Sequence, residues 1–300
     1  MTGQEVTFRR GGQLLAGTLA TPQHPVAAAL LLPGSGPVDR DSNHGRLRLD
    51  LTRQLAGAFA DAGIATLRFD KRGVGASPGD WRRAGFVDNV DDAEVALDHL
   101  AQSVPPRLPL FVVGHSEGAL LATALSARRG ELAGVVLLAG TARNGEQVLR
   151  WQADQLLPMM PAPLRAVLRA LRVDPAARVA ANRERLKGST EDVLRVDLVR
   201  HNARWFREFM AYEPTEDLAR SIVPVLAVTG EKDLQAPPED LEAVAAAAAG
   251  RVTTRLVPDL THTLRRQRGK ADLRRYRVEL REPVDPEVVA LVTSWIRDRA

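Results

Sequence analysis

Apolar residues along this chain fall into two alternating kinds of run. Short strand-like runs occur at Val26–Leu32, Ile64–Phe69, Leu110–Val113, Leu132–Ala139, Val223–Val228 and Val252–Val257, of which Val26–Leu32 is continuously apolar, the pattern of a strand buried on both faces. Between them lie stretches of helical character. Leu47–Ala62 carries Leu51, Leu55 and Phe59 on one face and ends at Gly63. Val87–Ser103, the Ala/Leu-rich segment after Gly118, Pro237–Ala249 and Pro286–Asp298 complete the set. Near the start, Gln4–Arg9 and Gln13–Ala20 flank Gly11-Gly12 and predict a hairpin. Strands that alternate with helices predict an α/β fold with a mostly parallel sheet covered on both faces.

The alternation stops after Gly140. From Thr141 to about Ser221 the pattern predicts helices alone, at Glu146–Leu157, Pro163–Leu171 and Glu191–Phe209, broken by Pro158, Pro161, Pro163 and Pro175. Three segments follow from this change: a first core part over 1–140, a helical insertion over 141–221, and a second core part over 222–300. Trp151, Met159, Met160, Trp205, Phe206 and Phe209 recur through the insertion. They suit a small helical core and equally a lid that lines a substrate pocket.

Composition narrows the class. Of 300 residues 45% are apolar and 26% charged, an ordinary globular balance. Cysteine is absent, which removes thiolate nucleophiles and Cys-based metal sites. The start MTGQEVTFRR lacks the apolar core of a secretory signal, and no apolar run is long enough to span a bilayer. A cytoplasmic protein is expected, as a monomer or homodimer. The net charge of +4 comes from 41 basic against 37 acidic residues. One basic cluster, Arg265, Arg266, Arg268, Lys270, Arg274, Arg275 and Arg277, contains a single aromatic, Tyr276. That favours a solvated loop or a rim that attracts anions over a nucleic-acid surface.

The chemistry centres on Leu108–Arg129, where a strand runs into Gly114-His115-Ser116-Glu117-Gly118 and a helix follows at once. A serine at the apex of a strand–turn–helix presents its hydroxyl above the sheet at a helix N-terminus, with flanking glycines allowing the tight turn. The alternative is an ordinary turn with Ser116 as a helix cap. A nucleophilic serine needs a base and an acid that follow it in the chain. After Ser116 only His201 and His262 remain; His201 falls within the insertion, whereas His262 lies just past a strand. Asp233 lies just past the preceding strand, with Glu231, Glu239 and Asp240 as nearby alternatives. All three groups therefore emerge at the carboxyl edge of a parallel sheet, where ligands bind in open α/β folds.

An oxyanion needs backbone donors. These are expected from Glu117, directly after the nucleophile, and from Ser35 in the loop Pro33-Gly34-Ser35-Gly36-Pro37, with Gly34 and Gly36 as alternatives. A dinucleotide loop is excluded because its third glycine would fall on Asp39. No phosphate-binding P-loop or H-E-x-x-H pattern occurs, so neither cofactor nor metal is expected. Asp70 and Arg72 read as a turn-stabilising ion pair or cap, and Asp39, Asp41 and Asn43 as loop ties.

Read together, the segments P-G-S-G-P-V-D-R-D-S-N (33–43), D-K-R-G-V-G-A-S (70–77), G-H-S-E-G (114–118) and G-E-K-D (230–233), with the late histidine, resemble the α/β-hydrolase superfamily over residues 4 to 300. The form of the first loop is similar to that of bacterial carboxylesterases related to serine-aminopeptidase-like hydrolases. The resemblance implies a sheet of about eight strands, a helical cap between strands six and seven, and hydrolysis of small acyl esters. Many of those relatives carry tryptophan after the nucleophile, where this chain has Glu117. Thioesterase, acyltransferase or peptidase chemistry, or a non-catalytic binding role, are the other expectations.

Overall fold

The computed structural model describes residues 3–300. A first hairpin, β1 (Gln4–Arg10) and β2 (Gln13–Ala20), leads into β3 (Ala27–Leu32). A two-residue pair, β4 (Asn43–His44) and β5 (Leu47–Arg48), precedes α1 (Leu51–Asp61), so the first helix starts later than its apolar spacing suggested. Then come β6 (Ile64–Phe69), α2 (Phe86–Ser103), β7 (Leu110–His115), α3 (Glu117–Arg128) and β8 (Gly134–Leu138). After an insertion, β11 (Val225–Gly230), α9 (Asp240–Ala247), β12 (Val252–Val257), α10 (Tyr276–Glu279) and α11 (Pro286–Arg297) close the fold.

The eight long strands form one sheet in the order β1-β2-β6-β3-β7-β8-β11-β12. Pairing is antiparallel for β1 with β2 and for β2 with β6, and parallel across the remaining six strands. Strand β3 shows how the sequence builds this. Its six residues AAALLL are all buried. Ala28, Leu30 and Leu32 face a core closed by Val90 and Leu97 of α2 and Leu121 and Leu125 of α3. Ala27, Ala29 and Leu31 face a second core closed by Leu55 and Phe59 of α1 and Val288 and Ile296 of α11. A strand apolar on both faces is stable only between two helical layers, and this one has them.

Between β8 and β11 lie α4 (Gly145–Leu156), α5 (Ala162–Ala170), α6 (Pro175–Gly188), β9 (Val193–Val196), β10 (Val199–Asn202), α7 (Ala203–Ala211) and α8 (Pro214–Arg220). The expected helix over 191–209 is thus wrong in its first half, which is an antiparallel hairpin. Val193, Val196 and Val199 recur every third residue and imitate a helical face. The turn between them, Asp197-Leu198, has positive φ at both residues (49° and 67°), a conformation usually signalled by Gly or Asn. Arg178 and Asn182 of α6 hold the Asp197 carboxylate and supply from outside what the turn sequence lacks. Among the described residues no helix is long and apolar enough to cross a membrane, and no cluster of three or more His, Asp or Glu could hold a metal ion.

Candidate active site

Ser116 stands between β7 and α3 with φ 57° and ψ −118°, a strained backbone for a residue with a side chain. Close packing imposes it. A Cβ on Gly114 would lie 1.9 Å from the Gly118 carbonyl oxygen, and one on Gly118 would lie 2.3 Å from that of Leu32. Both positions therefore require glycine. The Ser116 N–H donates to the Leu138 carbonyl at 2.9 Å, tying the turn to β8.

Asp233 and His262 meet at the same edge of the sheet. The His262 Nδ1 lies 2.9 and 3.0 Å from the two Asp233 carboxylate oxygens, and both residues are buried. Asp233 Oδ1 also accepts the N–H groups of Gln235 and Ala236, at 2.7 and 2.8 Å. The other acids near it are engaged elsewhere: Glu231 accepts the Asp259 N–H, Glu239 pairs with Arg143, and Asp240 takes Arg143 and the Thr141 hydroxyl. His201 lies on β10 of the hairpin, its ring edge-on to Phe206.

The residue before the nucleophile was not singled out from the sequence. His115 Nε2 donates to the His262 carbonyl at 2.8 Å, which requires the proton on Nε2, and the two imidazoles sit 4.8 Å apart. Burial, reinforced by the neighbouring His262, holds the His115 pKa down to about 3. Its unfolded value is about 6.5. Between these limits the unfolded chain takes up a proton that the folded one refuses. The associated stability is complete above about pH 6.5 and is lost as pH falls toward 3. Thermal unfolding at pH 7.5 and 4.5 should show the wild type losing on the order of 2 kcal/mol more than His115→Gln. Equal losses would remove His115 as the cause.

Two cavities open at this edge. One, of about 190 Å³, is lined by Ser116, Glu117, Ser35, Leu120, Gln235 and Ala236 of the core and by Val148, Leu149, Gln152, Trp205, Phe206 and Phe209 of the insertion. Trp151, Met159 and Met160 are not among its walls, and Met160 faces a separate cavity with Leu157 and Arg169. On α4 the face presented to Ser116 is that of Val148, Leu149 and Gln152. The second cavity, of about 310 Å³, shares Ser35, Trp205 and Phe206 and extends to Trp81, Arg200 and His201. Asn202 Nδ2 donates to the carbonyls of Trp81 and Ala84, each at 2.7 Å, and so fastens the hairpin to the core loop that forms the opposite wall.

The polar groups around Ser116 are arranged differently from the sequence expectation. Asp70 and Arg72 do not pair. Asp70 accepts the backbone and guanidinium of Arg40 and the Ala76 N–H, while Arg72 grips Asp92 on α2. Asp39 accepts the N–H groups of Asp41 and Asn43, as a loop tie should. Lys71, between Asp70 and Arg72, reaches the site: its Nζ lies 2.7 Å from the Gly34 carbonyl and 3.0 Å from Glu117 Oε2. Glu117 Oε1 accepts Asn89 Nδ2 at 3.0 Å and the Trp205 indole N–H.

The basic segment departs from the expected solvated loop at its first residue. Arg265 is not solvated. It is 2% exposed and donates to the carbonyls of Leu49, Thr263 and Glu282, and burial lowers its pKa to about 10. The largest of the sequence's basic clusters thus begins with a strut for the loop that carries His262. Arg266 pairs with Asp285 and Glu287, and Arg274 with Asp272, while Arg268, Lys270, Arg275 and Arg277 are exposed, as a solvated loop should be.

The chain matches the family model for serine aminopeptidase, S33, over residues 47–268, well over half its length. Esterase EstD from Thermotoga maritima is 26% identical over 285 residues, which cover 91% of this chain and 62% of EstD. The chain therefore spans less than two thirds of that relative. Among solved structures, DcsB in complex with its substrate analogue superposes with a TM-score of 0.67 at 16% identity, covering 99% of both chains. Est1E from Butyrivibrio proteoclasticus, with ferulic acid bound, gives 0.64 at 16% identity over 98% and 96%. The Pyrococcus furiosus esterase Pf2001 gives 0.65 at 14% identity over 99% and 91%. At these identities the structural likeness speaks for the fold.

Proposed function

The chain belongs to the serine aminopeptidase S33 family of α/β hydrolases, and from that footing we propose that it is a serine carboxylesterase acting on short acyl esters. The observation that carries this is the buried His262–Asp233 contact of 2.9 Å at the strand edge where Ser116 stands on its strained turn. Ser116 Oγ attacks the ester carbonyl as His262 Nε2 takes its proton. Asp233 holds Nδ1–H and stabilises the imidazolium that forms. The N–H groups of Ser35 and Glu117 receive the oxyanion, the latter at the N-terminus of α3, where the helix dipole favours negative charge. His262 then returns the proton to the departing alkoxide, and water repeats the sequence on the acyl-enzyme.

The insertion acts in this reading as a cap that bounds both halves of the substrate. The smaller cavity beside Ser116 suits a short acyl chain, and the aromatic-walled cavity beyond Ser35 suits the alcohol half. Benzyl and ethyl butyrate have leaving groups of similar basicity. Burying the phenyl ring against Trp81, Trp205 and Phe206 is expected to lower KM for the benzyl ester about tenfold. A panel of esters, thioesters and aminoacyl amides, with acyl chains from acetyl to octanoyl, tests the assignment. Highest kcat/KM on acetyl or butyryl esters supports it; faster turnover of thioesters or amides replaces it with thioesterase or peptidase chemistry.

A further inference from the structure

Beside the nucleophile lies a buried charge pair to which the mechanism above gives no task. Lys71 is 7% exposed and Glu117 is 3% exposed, and their side chains meet at 3.0 Å. Taking two charges out of water is costly, and a well-packed apolar pair is often as stable. What this pair gives in return is geometric. The Lys71 ammonium also donates to the Gly34 carbonyl at 2.7 Å. That carbonyl belongs to the peptide unit that carries the Ser35 N–H. In a planar trans peptide the two groups point in opposite directions, so fixing the carbonyl aims the N–H.

Rotation of that peptide needs a restraint. Gly34 has no side chain to hold it. Gly36, two residues on, has φ 80°. A loop built on these glycines can turn its peptide planes cheaply, and a turned plane presents an oxygen where a donor is required.

We infer that Glu117 and Lys71 are positioning residues for the oxyanion hole. This rests on the esterase reading. Lys71 locks the Gly34–Ser35 peptide with its N–H toward the reacting carbonyl, and its positive charge behind the peptide strengthens that N–H as a donor. Glu117 serves twice. Its backbone N–H is one donor, and its carboxylate holds the lysine that aims the other. Asn89 of α2 and Trp205 of α7 fix the carboxylate in turn, so the seating of the cap and the alignment of the hole share one anchor.

The test uses the double variant Lys71→Met/Glu117→Gln, which removes the ammonium without leaving a lone buried charge. Kinetics on nitrophenyl butyrate are compared with inhibition by a trifluoromethyl ketone, whose bound form carries the oxyanion. A lost donor costs roughly 100- to 1,000-fold in kcat, and a mis-aimed one should cost about 30-fold with KM changed by less than about twofold. The ketone's inhibition constant should rise by the same factor, a shift that loss of stability alone would not produce. Unchanged kcat in a folded double variant overturns the inference, as does a fall in kcat that leaves ketone affinity intact. Should the double variant not fold, Glu117→Gln alone gives the same paired readout: parallel changes support the inference and constancy of both overturns it. An active wild type with insensitive variants removes only this inference; a wild type that turns over no ester and takes no fluorophosphonate overturns the esterase reading along with it.

Discussion

Replacing Ser116 by alanine is expected to abolish ester turnover, with kcat falling by four to six orders of magnitude, about the loss seen when a serine hydrolase loses its nucleophile. The size follows from the route. With the oxygen gone no acyl-enzyme can form, and what survives is water attack assisted by the cavity and its donors. The substitution should cost little stability. The Ser116 side chain makes no hydrogen bond that holds the turn, and the backbone is held by Gly114, Gly118 and the Leu138 carbonyl. Alanine keeps a Cβ at φ 57°, so the strain is unchanged rather than released. Parallel measurement of nitrophenyl butyrate hydrolysis, fluorophosphonate labelling and thermal unfolding separates the two effects. Loss of labelling and turnover at a constant melting temperature is the expected pattern. Retained turnover would move the nucleophile elsewhere.

How far such a site can be read from sequence depends on how local its physics is. The turn at Ser116 is legible because its signal lies within five residues, two glycines around the serine with a strand and a helix on either side. Asp233 and His262 are legible at one remove, since parallel strands deliver their following loops to one edge. What fails is what depends on partners distant in sequence. The hairpin at 193–202 borrows its turn stability from Arg178 and Asn182, and its valines carry a misleading spacing. Lys71 is illegible in the sequence because its meaning lies in two contacts, 37 and 46 residues away. Arg265 looked like one more surface charge, because nothing in a basic run says which member is turned inward. The aromatic residues of the insertion show the same limit. Trp205, Phe206 and Phe209 line a cavity with Ser116, but aromatic composition could not say which face of α4 is turned toward the serine.

The second large effect is expected at Asp233, and its argument turns on a single proton. Asp233→Asn is nearly isosteric and should fold, yet kcat is expected to fall by about four orders of magnitude, as in other triads so altered. The cause lies in the acid's other partners. Oδ1 already accepts two backbone N–H groups, from Gln235 and Ala236. An asparagine must turn its carbonyl oxygen to those donors, because its amide group offers them no lone pair. Its NH₂ then faces His262 Nδ1. That arrangement is satisfied only if Nδ1 is the acceptor, which puts the imidazole proton on Nε2, where it cannot take one from Ser116. Catalysis would then require the rare tautomer or an imidazolium without its counter-charge. Rotating the amide the other way sets two backbone donors against an NH₂ in a buried loop, which carries a desolvation penalty of its own. Asp233→Ala, by contrast, leaves the His262 tautomer free while opening a void, so it should fold less stably than the asparagine variant. A sharp loss of kcat in Asp233→Asn, with KM and melting temperature close to wild type, is the result that ties the carboxylate to the histidine's proton. A loss no greater than tenfold would return Asp233 to the role of a loop cap for Gln235 and Ala236.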